Sequence, residues 1–312
     1  MPTTWRPMTA DDAPALAALF NTVAEADGTG DTATEQVVAE IFAMPRFDAA
    51  DDSFSVWDGA DLVGAGFVTV RDVAVDGRAM VVPEGAIHPD RRGAGLGADL
   101  LDRLERRGIE LAHTRLPGLP VRLRTSGGLQ DSSAQRLLEQ AGYAPGNYFL
   151  TMEVDLATWR DPGADTVSVP PGPELSEAVR EAHNDAFRDH RNFSPIPQDS
   201  WEHWGRSSAY RPALSRVVVE DGRVLAYATA SEYEPGTVHI DLVGTRREAR
   251  GRGLAKDVLT SGLRAARAAG MSTSELEVDS TSPTGADRLY TSVGYHEVRV
   301  VSRYQRDVPD PR

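Results

Sequence analysis

At 312 residues the chain is twice the length of a compact ~150-residue domain, so two domains are the starting expectation. With 40% hydrophobic and 26% charged residues it has an ordinary globular balance, which excludes wholesale disorder, collagen and coiled coil. A net charge of −14 (33 basic, 47 acidic residues) disfavours nucleic-acid backbones and anionic lipids, and the absence of Cys excludes disulfides, thiolate metal sites and a cysteine nucleophile. No apolar run approaches the ~18 residues that span a bilayer. The opening MPTTWRPMTADD lacks the basic and apolar segments of a signal peptide. The expectation is a cytoplasmic protein with no nucleic-acid or membrane partner and no metal. Lys256 is the only lysine, a bias that reads as genomic base composition.

In chain order, FSVWDGADLVGAGFV predicts a β-hairpin turning at Asp58-Gly59, because Asp-Gly suits the positive φ of a type I′ turn. A strand, VVPEGAIHP, then a Gly-rich turn and an amphipathic helix with Leu96, Leu100, Leu101 and Leu104 on one face follow, with Gly108 expected as C-cap. Next come a strand, VRLRTSG, and a helix ending at Ala141-Gly142-Tyr143. The segment WRDPGADTVSVPPGPE reads as a linker. Then the series repeats. RVVVEDGRVLAYA turns at Asp221-Gly222, and the strand HIDLVGT leads into a Gly-rich turn. The helix after it carries Leu254, Val258, Leu259 and Leu263 and ends at Gly270; the strand ELEVDS and a helix ending Val293-Gly294-Tyr295 complete the copy. The landmark pairs Gly59/Gly222, Arg92/Arg250 and Gly142/Gly294 lie 163, 158 and 152 residues apart. Three ordered landmarks at nearly constant spacing identify an internal duplication of one α/β unit.

The two turns are Arg92-Gly93-Ala94-Gly95-Leu96-Gly97 and Arg250-Gly251-Arg252-Gly253-Leu254-Ala255. Small residues between strand and helix let backbone N–H groups converge, and the helix N-terminus adds partial positive charge, so a pyrophosphate fits there. A tight turn needing glycine for positive φ is the plain alternative for one such turn, and two copies weigh against it. Neither copy is a dinucleotide fingerprint, and no GxxxxGK[ST] loop occurs.

Strand, R-G-x-G-x-[GA], helix, strand and a helix ending in LYTSVGY resemble the GCN5-related N-acetyltransferase (GNAT) family. The tandem arrangement, with AHNDAFRDH and VGTRREARGRGLA in the second copy, resembles its actinobacterial mycothiol-synthase-like members. The resemblance implies an α/β fold of two tandem GNAT-type domains, each a mixed, mostly antiparallel twisted sheet flanked by helices. It implies an N-terminal domain over 1–155, a linker and lead-in over 156–173, and a catalytic domain over 174–312. It further implies an N-acetyltransferase using acetyl-CoA as cosubstrate. The pyrophosphate would sit on the turn residues, and the acyl group beside Val243, Gly244 and Thr245, or beside Ala86 and Ile87 in the first copy.

Acyl transfer to an amine requires a base for the amine, stabilisation of the oxyanion and an acid for the leaving thiolate. The family's acid is a Tyr shortly before the terminal glycine, which corresponds to Tyr290. The aligned residue of the first copy is Leu138, which donates no proton. The family's strand Glu, the base, falls on His239, with Val81 as its first-copy counterpart. A neutral His is a competent base; an ordinary strand histidine is the plain reading. Asp241, on the same strand face, either orients the imidazole or replaces it, and Glu234 is a third candidate. Glu84, nearer the turn than Val81, is the only titratable residue on that strand, and Pro83 is expected to interrupt the strand's hydrogen bonding. The C-terminal copy is therefore expected to do the chemistry, while the first either binds acyl-CoA without turnover or braces its partner.

The acceptor region of the second copy, HRNFSPIPQDSWEHWGRSSAYRP, carries Phe193, Trp201, Trp204 and Tyr210. These are either an aromatic wall for a small-molecule amine or core contacts of a helix. Ser282 in place of the relatives' Asn, and His239 in place of Glu, favour an amine other than the mycothiol precursor. A silent acyl-CoA-binding protein or sensor, a tRNA-dependent aminoacyl transferase and mycothiol synthase proper remain open. A monomer is expected, since a fused duplication meets internally the pairing that single-domain members seek between chains.

Overall fold

The structure is a computed structural model describing residues 3–163, 167–188, 193–280 and 285–309. The first copy contains β1 (Thr4–Arg6), α1 (Ala13–Asp27), α2 (Glu35–Glu40), α3 (Ala49–Asp52), β2 (Ser53–Asp58), β3 (Asp61–Val70), β4 (Ala79–Ile87), α4 (Leu96–Arg115), β5 (Val121–Gly128), α5 (Ser133–Gln140) and β6 (Ala144–Asp155). The second contains α6 (Ser176–Phe187), α7 (Gln198–Gly205), β7 (Arg216–Glu220), β8 (Arg223–Glu234), β9 (Thr237–Thr245), α8 (Leu254–Ala268), β10 (Thr273–Asp279), α9 (Ala286–Val293) and β11 (His296–Asp307). Among the described residues no helix is long and apolar enough to cross a membrane.

The chain divides into two units: residues 1–148 with 301–312, and residues 149–300. This differs from boundaries at 155 and 174, because the last strands are exchanged. In the first unit the strand order is β1-β2-β3-β4-β5, and residues 302–307 of β11 complete it by pairing antiparallel with β5. In the second unit residues 149–155 of β6 pair antiparallel with β10, and the order continues β9-β8-β7. Each copy's final strand thus completes the other copy's sheet. In both units one strand pair, β4–β5 or β9–β10, is parallel. The expected linker also belongs to the second unit. Trp159 is buried and its Nε1 donates to Val293 O (2.7 Å), Asp161 accepts from Arg264 (2.6 and 2.7 Å), and Val169 bridges to Val217.

Three local expectations shift. In the first hairpin Asp58 pairs with Asp61, so the turn is Gly59-Ala60, with Gly59 at φ 64°. The second hairpin keeps Asp221-Gly222 as its turn, both at positive φ (49° and 73°), as type I′ geometry requires. Gly108 does not cap α4, which runs on to Arg115: a Cβ there would stand 2.3 Å from Val81 Cγ1 and 2.8 Å from Val68 Cγ2, so close helix–strand approach is what requires glycine. Nor does Pro83 interrupt β4. The β3–β4 register continues through Val68↔Pro83, two residues past Val81, where pairing with β5 ends.

Candidate active site

Both units open a cleft in the same way. In the first, β4 pairs with β5 only through Val81↔Leu123, while β5 continues along β11 to Gly128. In the second, β9 pairs with β10 only through Ile240↔Leu276, while β10 continues along β6 to Asp279. The strands splay there, freeing one side of the backbone at residues 82–87 and 241–245. Val81 does not match His239, however: Val81 packs on α4 against Gly108, whereas His239 lies on the face away from Val238 and Ile240. Because Asp241 is an extra residue in β9, the position opposite Thr69, Val82, corresponds to His239 opposite Ser231.

Beyond the splay the units part. β3 and β4 stay in unbroken register from Gly64↔Ile87 to Val70↔Val81. Between β8 and β9, Thr229 faces Leu242 but Ala230 faces Ile240, leaving Asp241 as an extra, bulged residue. A bulge reverses the alternation of side chains downstream. Val238, Ile240 and then Val243 pack with Val258 and Leu259 of α8, whereas Leu242 joins Tyr227 and Val179 on the α6 side. Downstream of the bulge the two strands agree again: Val243 faces α8 as a Cβ at Gly85 would face Leu100 of α4, and Gly244 and Thr245 correspond to Ala86 and Ile87.

The cleft leads to the glycine turns. Gly251 and Gly253 have φ 77° and 78°, Gly93 and Gly95 φ 80° and 85°, and a Cβ at any of the four would meet nothing within 4 Å. Helices α8 and α4 start at Leu254 and Leu96, so the N–H groups of Leu254, Ala255, Leu96 and Gly97 have no intrahelical partner. The arginines fix the turns instead of reaching across them. Arg250 Nη2 donates to Ala186 O (2.8 Å), Arg252 pairs with Glu220, and Arg92 makes a bidentate pair with Asp27 (2.6 and 2.9 Å). Ala94 completes the first turn with its backbone alone. In Thr245 a buried Oγ1 has no partner among the described residues. Convergent N–H groups, open glycines and an orphaned hydroxyl at the end of a splayed strand fit a pyrophosphate with an amide-bearing arm.

His239 and Asp241 converge with Tyr233, but not as a direct pair. His239 Nδ1 lies 3.3 Å from Glu275 Oε1, and Arg299 Nη2 donates to Glu275 Oε2 (2.7 Å). Asp241 accepts from Ser231 Oγ (2.8 Å) and Tyr233 OH (3.1 Å), and the Tyr233 ring stands 5.9 Å from the imidazole. Burial works to lower the His239 pKa, but Glu275, Asp241 and Glu277 outweigh it and hold it above the ordinary value. Glu275, although burial opposes it, is held below the usual carboxylate range by His239 and Arg299. Asp241 is pushed up by burial. Nε2 of His239 makes no hydrogen bond among the described residues. Glu234 is exposed at the end of β8, opposite Thr237.

Tyr290, on α9, is 8% exposed, and burial pushes its phenol up to about 12. It is therefore protonated at neutral pH, and its hydroxyl makes no hydrogen bond among the described residues. Leu138 fills the matching position of the first unit's core. On the acceptor side Trp201 is buried, whereas the Trp204 ring lies tilted between those of Trp201 (centroids 4.9 Å apart) and Tyr210 (4.6 Å), and Phe193 is half-buried. Tyr210 bridges to Ser231, beside Asp241. Trp201 is thus core, while Trp204, Tyr210 and Tyr233 form a wall near the titratable pair. Glu275 had no signal in the sequence, since only the parallel register of β9 and β10 brings it to His239. Ser282, and Asp189 and His190 at the end of AHNDAFRDH, lie outside the described residues.

Residues 176–295 match the Acetyltransferase (GNAT) family. The second unit is a GNAT acetyltransferase domain. The chain is 29% identical to a mycothiol acetyltransferase of Thermobispora bispora, covering 96% of this chain and 97% of the relative, and 26% identical to one of Saccharopolyspora erythraea, covering 82% and 84%. A GCN5-related N-acetyltransferase from Sphaerobacter thermophilus superposes with TM-score 0.72 at 27% identity over 98% of this chain and 95% of that one. A tandem GNAT protein from the clavulanic acid biosynthesis pathway shares the fold, with TM-score 0.69 at 15% identity over 99% and 100%. The family match lies in the second unit, the chain as a whole shares the tandem GNAT fold, and the GNAT family uses acetyl-CoA.

Proposed function

We propose that the second unit transfers the acetyl group of acetyl-CoA directly to the primary amine of a small molecule. The observation that carries this reading is the bulge at Asp241: it sits at the mouth of the splayed cleft with His239 on one side and Tyr290 within the same unit, and the first unit has none of the three. The turn from Arg250 to Ala255 holds the pyrophosphate through its backbone, and the peptides of Val243 to Thr245 receive the thioester carbonyl. His239 Nε2 takes the amine proton, while Glu275 at Nδ1 keeps the ring oriented and stabilises the imidazolium. Where the family places a Glu on this strand, the carboxylate here comes from the neighbouring one. Tyr290 donates its proton to the departing thiolate, completing the balance: one N–C bond forms, one S–C bond breaks, one proton leaves the amine nitrogen for His239 and one passes from Tyr290 to the CoA sulfur.

The first unit, with its open glycine turn at Gly93 to Gly97 but Leu138 and Val82 at the chemical positions, binds acyl-CoA without turnover. The chain works as a monomer, without metal, nucleic acid or membrane. Mycothiol acetyltransferase activity is a second reading, favoured by likeness to two such enzymes along most of the chain. Thiol release from acetyl-CoA, measured across amino sugars, polyamines, amino acids, peptide N-termini and the mycothiol precursor, tests both. Saturable acetyl-CoA binding without thiol release from any amine would overturn the transferase reading. Turnover confined to the precursor would select the second one, and a stable dimer in sedimentation would overturn the monomer.

A further inference from the structure

The stretch AHNDAFRDH places His183 on α6, where it is buried. Its Nδ1 lies 2.8 Å from the hydroxyl of Tyr227, a fully buried residue of β8, and its ring stacks on Phe187 with centroids 4.5 Å apart. Tyr227 faces Gly244 across the strands. A Cβ at Gly244 would stand 2.4 Å from the Tyr227 hydroxyl oxygen and 2.6 Å from its ring carbons. Gly244 has no positive φ, so glycine is present to admit the phenol and not to make a turn. Its peptide lies three residues past the Asp241 bulge, on the segment assigned to the thioester carbonyl.

The matching pair in the first unit is Ala65 and Ala86, in register and without aromatic support, and α1 carries no histidine. Among the described residues, an imidazole, a phenol and a vacant Cβ position therefore occur together at this place only in the unit with the bulge and Tyr290. A buried polar pair of this kind destabilises unless satisfied, and once satisfied it fixes its neighbours rigidly.

We infer that His183 and Tyr227 are positioning residues for acetyl transfer: the phenol, pinned by the imidazole, props the Gly244 peptide of β9 in the orientation that receives the thioester carbonyl. The inference rests on the transferase reading of the second unit. The prop acts on the carbonyl alone, so the loss should appear in turnover and in recognition of the carbonyl, not in capture of the nucleotide end.

The test compares Tyr227→Phe, His183→Ala, their double variant, and Tyr227→Ala with Gly244→Ala, which copies the first unit's pair. All are made in a Gly95→Val background so that one turn binds. Calorimetry measures acetyl-CoA against S-ethyl-CoA, which lacks the carbonyl, and thiol release gives kcat and KM. The expected result is a kcat about 5-fold lower for each single variant, in line with one lost hydrogen bond. The double variant should be no worse than either single, because the two residues act as one device. Acetyl-CoA should lose its affinity advantage over S-ethyl-CoA, whose own affinity stays constant. Wild-type turnover and undiminished preference for acetyl-CoA in folded Tyr227→Phe and His183→Ala would overturn the inference, as would an equal loss of affinity for both ligands. Absence of thiol release from the wild-type chain with every amine would instead sink the transferase reading, and the affinity comparison would still judge the prop.

Discussion

The two glycine turns are nearly superimposable in conformation, and the strands leading into them are not. Both turns place two glycines at φ between 77° and 85° and both follow a splayed parallel pair. Only the second strand carries the extra residue Asp241, with His239 before it and the Tyr227–Gly244 contact after it. After the duplication, binding geometry made from backbone and glycine survived in both copies. The candidate acid and base, Tyr290 and His239, stand in one copy, and in the other the matching positions hold the apolar Leu138 and Val82. Retention of an anion cradle is thus separable from retention of chemistry.

The sharpest way to break this comparison is Tyr290→Phe, which removes one hydroxyl and should lower kcat by roughly 10²–10⁴ with acetyl-CoA affinity nearly unchanged. Leu138→Ala in the other unit should instead cost about 2–5 kcal/mol of stability, read by urea denaturation, and leave the chemical step alone. Wild-type turnover by folded Tyr290→Phe would reverse the assignment. His239→Ala should lower the rate at pH 7 by about 10². In the wild type the rate should fall on acidification through a pKa above 6.5, because the base must be neutral and its carboxylate neighbours hold its proton. That limb should vanish in the variant, whose rate then rises with deprotonation of the free amine.

Gly253→Val should weaken acetyl-CoA binding to the second unit about 10-fold or more, through strain at φ 78° and obstruction of the cradle. Gly95→Val should do the same to the first unit without lowering kcat; two binding events in wild-type calorimetry, each removed by its own variant, would sharpen the comparison, and a single event would show that one cradle is vestigial. The smallest effect is expected for Glu275→Gln. Removing a carboxylate that raises the His239 pKa should move the acid limb of the rate profile to lower pH. Stability should follow the same pair. Raised His239 stabilises the fold below pH 6.5 and loses that contribution as pH rises through its folded pKa. Lowered Glu275 stabilises above pH 4.5 and loses it as pH falls. The destabilisation caused by Glu275→Gln should therefore be larger at pH 5.5 than at pH 8.5, checked by denaturant titration at both values.

Much of this was legible along the chain because it is local. Glycine spacing, hairpin signals and helical periodicity repeat at nearly constant offset, so the duplication and both cradles could be located residue by residue. The contrast of Tyr290 with Leu138 came from the same alignment, but that of His239 with Val81 was off by one, because the extra residue Asp241 shifts β9 against β4 and brings Val82 to the matching place. Errors fell where a local signal met a tertiary demand. Gly108 looks like a helix cap but lies within α4 because Val68 and Val81 leave no room for a Cβ. A Pro- and Gly-rich segment looks like a linker, yet Trp159 and Asp161 anchor it to the second unit.

The sequence alone determined the repeated α/β unit, the two open glycine turns and which copy carries Tyr290 and His239, since each depends on residue types at short, fixed spacings. Tertiary structure decided the rest. Which sheet each final strand joins, the bulge at Asp241, the partnership of His239 with Glu275 and the contact of Tyr227 with His183 and Gly244 all depend on strand register. Register is set by pairing between segments tens to hundreds of residues apart, and a shift of one residue sends every following side chain to the opposite face.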